Sequence, residues 1–358
     1  MKPSAIASEA WRNIRSGTTH AALWAILFLL VSGTAVGIDG AAVATITKAS
    51  TAFHAAGGST FVVQAPGAIS AARCEALSSL DRIQSSAAIR STEPIFLSAL
   101  PSTPTALFEA TAGVRQLLHA GGDGRTGLLL SEQLASQLAV GPSSTLALTE
   151  PTSSTNVLGV FDYPSDGRMS WLSSAAIAVV PTTGLFDECW IDIWPSTSST
   201  DALALFAVSG TASDTGDTAI RQLNSTLGRS FDTSTLIENR STRFLAIAGI
   251  FASALLGYIA VRSRRLELAS AMHAGVTRGR LVIQILVESA SWLLAAMCAV
   301  VPLVYFIAAQ TQVAGDTSLI LGIEVRVLIS QLLAAGTGVL LSLGLIRETH
   351  LFTYFKDR

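Results

Sequence analysis

Four stretches of the chain, residues 21–38, 244–261, 289–309 and 327–346, hold apolar and small residues and no Asp, Glu, Lys or Arg. Each is about as long as a helix needs to cross a hydrocarbon core of about 30 Å. A charge at the centre of such a helix costs about 2.5–3.5 kcal/mol, whereas one Leu, Ile, Phe or Val returns only about 0.3–0.6 kcal/mol. Complete absence of charge from all four stretches therefore predicts four transmembrane helices, spanning residues 20–39, 241–261, 288–309 and 325–347.

Between the first two spans the pattern changes. Residues 40–240 mix helical and alternating segments at the size of one ordinary domain. Residues 41–56 extend the first helix until Gly57 and Gly58 stop it. Strands are predicted at 60–63, 127–130, 144–148, 156–161, 175–180 and 189–193, and helices at 68–80, 132–138 and 218–237, the last leading into the second span. The fold class is thus a four-helix membrane protein with a large α/β domain between helices one and two.

Charge placement sets the orientation. Lys2, Arg12 and Arg15 precede the first span, Arg262, Arg264, Arg265, Arg278 and Arg280 lie between the second and third, and Arg347, Lys356 and Arg358 follow the fourth. The connection 310–324 contains Asp316 and Glu324 and no Lys or Arg, which marks it as the short external loop. Both termini, the loop 262–287 and the tail 348–358 are then cytoplasmic, and 40–240 lies outside the cell membrane. A basic start, an apolar run and the small residues from Gly33 to Gly37 also describe a cleavable signal peptide. The long stretch Ser8-Glu-Ala-Trp-Arg-Asn-Ile-Arg15 favours instead an interfacial helix within residues 1–19, with Ala10, Trp11 and Ile14 on one face. Gly33 and Gly37 have the G-x-x-x-G spacing of a helix-packing or dimer contact; two glycines that merely sit in a membrane helix satisfy the same spacing.

Composition agrees with this layout. The chain is 50% hydrophobic and 13% charged, against roughly a quarter charged in soluble domains, and its mean hydropathy is +0.51. Lys+Arg 23 against Asp+Glu 25 leaves no basic excess to bind nucleic acid. Three cysteines suit neither a disulfide scaffold nor a zinc site. Cys74 and Cys189 lie in the external domain, where a bond between them and two free buried thiols are both open, while Cys298 is a packing residue of the third span. The glycine-rich 121–127 lacks the Gly-Lys-Ser/Thr ending of a phosphate loop and reads as a loop, and 211–217 reads as a polar linker. His20, His54, His119, His273 and His350 fall on both sides of the membrane, so no metal or catalytic constellation is predicted and no cofactor in this chain.

The loop between the second and third spans carries the functional signal. It orders Arg264 and Arg265, Glu267, the apolar Leu268 and Met272, the Gly275 turn, Arg278 and Arg280, and Glu288 at the head of the next helix. A loop needed only for topology explains the arginines but not this order. In Arg264, Arg265, Glu267, Leu268, Gly275 and Glu288 the chain resembles the MacB/FtsX-like permeases of ATP-binding cassette (ABC) transporters, the type VII or mechanotransmission type. Glu9-Ala-Trp-Arg-Asn-Ile-Arg15 looks like the family's N-terminal interfacial helix. Residues 127–135 followed by 156–161 resemble its core external domain. The resemblance covers essentially the whole chain, except that the tail 348–358 lacks the Pro and Ala-Leu-Arg ending usual in the family.

The resemblance implies a non-catalytic permease subunit. Two copies, or this chain and a close paralogue, would join a separate ABC ATPase dimer that binds ATP and Mg. Arg264, Arg265, Glu267, Leu268, Met272 and Gly275 would form the ATPase-coupling helix. Motion of the external domains would then drive efflux of a peptide, amphipathic or lipid-linked substrate, with haem held open. The alternative is an FtsX-like signal transmitter that regulates a cell-wall hydrolase or senses antimicrobial peptides. A membrane-anchored enzyme ranks last, since no candidate site is visible.

Overall fold

The computed structural model describes residues 3–122, 127–149, 154–194, 205–209, 218–310, 314–350 and 355. The chain divides into two units, one of residues 1–48 with 234–358 and one of residues 49–233. The linker 211–217, most of the 121–127 loop and most of the 348–358 tail lie outside the described residues. In chain order the helices are α1 (Pro3–Arg15), α2 (Ala21–Ala55), α3 (Ala71–Ala76), α4 (Val114–Leu117), α5 (Glu132–Gln137), α6 (Thr233–Glu238), α7 (Arg243–Arg262), α8 (Arg265–His273), α9 (Arg278–Ala309) and α10 (Ala314–Leu345).

Four helices, Ala21–Ala55, Thr233–Arg262, Arg278–Ala309 and Thr317–Leu345, are long and apolar enough to cross a membrane, and the α/β unit is inserted between the first and second. With 35 residues α2 is about 52 Å long at about 1.5 Å per residue, well beyond the hydrocarbon thickness. It stops at Gly57 as the glycine pattern predicts, where φ is +77°. The predicted external loop 310–324 is corrected: α10 already starts at Ala314, so Glu324 stands inside a helix. Counting charge-free residues starts that helix too late, because Arg326 and the buried Glu324 interrupt the charge-free run without interrupting the helix.

Close helix packing also falls elsewhere than at the predicted glycine pair. A Cβ on Gly33 or Gly37 would meet Leu303 of α9 at 4.0 Å, an ordinary contact. A Cβ on Gly257 of α7 would fall on the Ala335 carbonyl, and one on Gly338 of α10 on the Ala254 carbonyl. The intimate pair is therefore α7 with α10, whose backbones meet through small residues because lipid supplies no hydrophobic drive between helices.

The second unit is built on a mixed sheet. Its strands are β1 (Thr60–Ser70), β2 (Ile83–Ser91), β3 (Ile95–Leu97), β4 (Leu100–Ala110), β5 (Leu128–Ser131), β6 (Thr145–Ala147), β7 (Ser154–Phe161), β8 (Ala175–Val179), β9 (Leu185–Ile193) and β10 (Ala219–Gln222). They lie in the order β10-β1-β9-β2-β4-β8-β5-β7-β6, with β3 paired to β4. Only β4–β8 and β5–β7 run parallel among the described pairs. Successive side chains alternate faces: Val63, Ala88, Cys189 and Ile191 enter one core cluster, while Val62, Ala87, Ile89 and Trp190 enter another. Both faces of the central strands are thus buried.

Three sequence expectations change here. The predicted helix 68–80 begins only at Ala71, because β1 continues to Ser70, whose side chain then caps the helix by accepting from the Arg73 N–H. The predicted helix 218–237 is instead β10, paired with β1 from Phe61↔Gln222 to Gln64↔Ala219, followed by a turn and the short α6. Its apolar positions fit either period, and an open sheet edge decided between them. Central β2 and β4 carry no strand signal in the sequence. Ser85 and Ser86 are buried in β2, and Ser86 Oγ recovers a hydrogen bond by donating to the Cys74 carbonyl at 2.7 Å. In β4, Pro101 and Pro104 lie in the part facing the short β3, where a missing N–H is tolerated. Cys74 of α3 and Cys189 of β9 are joined by a disulfide and fully buried.

Candidate functional site

The loop singled out in the sequence folds into α8, a helix laid between the ends of α7 and α9. Leu268 and Ala269 supply its buried side and pack with Val261, Leu281, Ile285, Val339 and Ile346. The helix ends at Gly275, whose φ of +90° is a left-handed conformation that a side chain would strain. Thr277 then precedes α9.

Arg264, just before α8, is 9% exposed and Glu288 of α9 is 3% exposed. The Arg264 guanidinium donates from Nη1 to Glu288 Oε2 at 2.5 Å, and from Nε and Nη2 to the two oxygens of Glu267 at 2.9 and 2.6 Å. Burial opposes the Arg264 charge, but the flanking Glu267 and Glu288 carboxylates outweigh it and hold the guanidinium above its ordinary value. The other Glu288 oxygen accepts from Asn13 Nδ2 of α1 at 2.8 Å and from Gln284 Nε2 at 3.2 Å. One carboxylate thus gathers donors from α1, from the start of α8 and from its own helix. Forked, charge-assisted bonds of this kind hold orientation as well as contact.

The six residues assigned to coupling therefore divide. Arg264 and Leu268 face inward and position the helix. Glu267, with half its side chain exposed, and Gly275 face outward, and Arg265 and Met272 are half-buried. A cleft of about 220 Å³ opens beside Leu268, Met272, Arg278, Leu281, Leu343 and Ile346. His273 Nδ1 lies 3.1 Å from Glu348 Oε1, which ties the end of α8 to the start of the tail. Sequence reasoning missed Asn13 and Gln284. The signal for Asn13 is available: on α1 it stands opposite Trp11, which is 64% exposed, while Ala10 is fully buried. Trp11 therefore does not share the Ala10 face, contrary to the sequence expectation that placed Ala10, Trp11 and Ile14 together. Ala10 and Asn13 turn toward α9, and Trp11, Arg12 and Arg15 turn outward.

A second polar group lies in the sheet unit. His54 Nε2 sits 3.0 Å from Asp192 Oδ2, and Ser59 Oγ donates to Asp192 Oδ1 at 2.6 Å. Both side chains meet the carboxylate, so the imidazole does not stand between hydroxyl and acid as nucleophile activation requires. A cleft of about 200 Å³ beside them is lined by His54, His119, Asp162, Arg168 and Leu223. No group of three metal-ligating side chains comes together among the described residues.

No family model matches the chain, and no curated protein matches it in sequence. Among solved structures it is similar to the periplasmic region of MacB from Actinobacillus actinomycetemcomitans, at 14% identity over 52% of this chain and 95% of that one, with a TM-score of 0.34. A domain of a putative permease protein from Porphyromonas gingivalis is 13% identical over 50% of this chain and 95% of its own, with a TM-score of 0.32. The extracellular domain of the noncanonic ABC-type transporter YknZ from Gram-positive bacteria is 13% identical over 40% of this chain and 88% of its own, with a TM-score of 0.29.

Proposed function

We propose that this chain is the permease subunit of a MacB/FtsX-type ABC transporter, lying in the cell membrane with both termini in the cytoplasm and moved by a separate ATPase. The observation that carries the reading is the junction of Arg264, Glu288 and Asn13, which ties a short helix outside the apolar spans to α1 and α9. A force applied to the exposed side of α8 is delivered to α9 through buried, charge-assisted bonds rather than through a flexible loop. The family resemblance of the 264–288 segment assigns that force to ATP-driven closure of an ABC ATPase dimer, which binds the ATP and Mg. Such a dimer calls for two permease subunits, either two copies of this chain or this chain with a paralogue. ATP shifts the assembly only as far as the ATPase pair binds one of its states better than the other.

The activity proposed is efflux of a peptide, amphipathic or lipid-linked molecule, with motion of the sheet unit as the mechanical output. The test is co-purification of the full chain with ABC ATPases of the same organism. Glu267→Arg combined with Met272→Asp alters the exposed Glu267 and the half-buried Met272 of α8 and is expected to weaken ATPase association by at least about tenfold, equivalent to about 1.4 kcal/mol. Undiminished association of this variant sinks the coupling assignment. ATPase activity in liposomes stimulated by an amphipathic peptide supports efflux; stoichiometric capture of a cell-wall hydrolase by the full chain transfers the reading to signal transmission.

A further inference from the structure

Glu324 of α10 is 1% exposed, and neither of its carboxyl oxygens has a hydrogen-bond partner among the described residues. It belongs to one of the four helices apolar enough to span a membrane. Its surroundings are close-packed: a Cβ on Gly40 of α2 would stand 3.6 Å from the Glu324 carboxyl carbon and 3.5 Å from Ile307 of α9.

Among the described residues, the charged groups acting on Glu324 are Asp39 and Arg240. Asp39, next to Gly40 on α2, is fully buried and already holds the cation. Arg240 donates to it from Nε and Nη2, each at 2.7 Å, and Thr242 Oγ1 adds a third bond at 2.6 Å. The α9 neighbour is the apolar Ile307, and Arg326, on α10 itself, is exposed. Two buried carboxylates thus lie within the field of one guanidinium, which is hydrogen-bonded to only one of them.

An ionised carboxylate without donors or counter-charge in such a place costs several kcal/mol. Ionisable side chains within membrane helices mark ion or proton sites for this reason. We propose that Asp39, Arg240 and Glu324 together form a one-proton binding site, with the proton on Glu324 while Arg240 is bonded to Asp39. The trio is then neutral: one carboxylate is matched by the guanidinium and the other by the proton. If Arg240 turns to Glu324, the Glu324 O–H bond breaks and its proton leaves for water, and Asp39 takes up a proton in its place. Neutrality survives the exchange, so the two arrangements are alternative states of one buried site.

The test uses infrared difference spectroscopy on the full chain in phospholipid nanodiscs at neutral pH. Wild type minus Glu324→Gln is expected to show a protonated-carboxyl stretch that shifts in heavy water and is lost in the variant. Asp39→Asn frees Arg240, so this variant is expected to lose the same band through ionisation of Glu324. A wild-type difference spectrum with a carboxylate signal at Glu324 and no protonated band overturns the site. Persistence of the band in Asp39→Asn overturns the sharing of Arg240. Glu324→Gln keeps the shape and neutrality of the acid, so its spectrum decides the first point even if Asp39→Asn does not fold.

Discussion

Glu288 and Glu324 are both glutamates buried among the long helices, at 3% and 1% exposure, yet their surroundings are opposite. Glu288 receives Arg264, Asn13 and Gln284. Glu324 receives no hydrogen bond among the described residues. Desolvation confronts both with a similar cost, and it is met in one case by three donors and in the other, as proposed above, by a proton. Burial alone therefore does not tell what a carboxyl group does; the donors within reach decide whether it is a fixed strut or a group able to change state.

Four substitutions test this contrast by their effect on unfolding of the full chain in a membrane mimetic. The largest loss is expected from Arg264→Ala, about 3–5 kcal/mol, because it leaves Glu288 buried without its cation. A midpoint no lower than that of Glu324→Gln would erase the distinction between the two sites. Glu288→Gln is expected to cost about 1.5–3 kcal/mol, the range for hydrogen bonds involving a charged group, since Arg264 retains only Glu267. Asn13→Ala removes one of three donors and is expected to cost about 1 kcal/mol, while loosening α1 as read by hydrogen exchange along Pro3–Arg15. Glu324→Gln is expected to have the smallest effect, with no measurable loss at neutral pH, because an amide replaces a neutral acid of the same shape. A loss as large as that of Glu288→Gln would mean that Glu324 is ionised and paired.

Much of the architecture was legible before the fold was known. The apolar windows, the extension of α2 to Gly57 and most strands of the sheet unit follow local patterns of period and punctuation. The loop between the second and third spans was legible as an ordered string of residue types, but its inner and outer sides were not. Arg264 and Arg265 are neighbours of one kind in the sequence; the first is buried against two carboxylates and the second is only half-buried. Strands β2 and β4 escaped because their stability comes from neighbouring strands. Buried Ser85 and Ser86 give no hydrophobic signal, and the serine hydroxyl at 86 is satisfied only by a carbonyl twelve residues away.

The order of residues along the chain suffices to show that four helices are suited to a bilayer, which ends carry the basic residues, and that an α/β unit lies between the first two. Those properties are sums over contiguous residues, and transfer free energy adds along a segment. Which carboxylate meets which cation, that Cys74 reaches Cys189, and that the buried Glu324 carboxyl has no hydrogen-bond partner among the described residues emerge only from the packed fold. Pairing energies depend on distances between residues far apart in the chain, and desolvation depends on what the whole fold packs around a group.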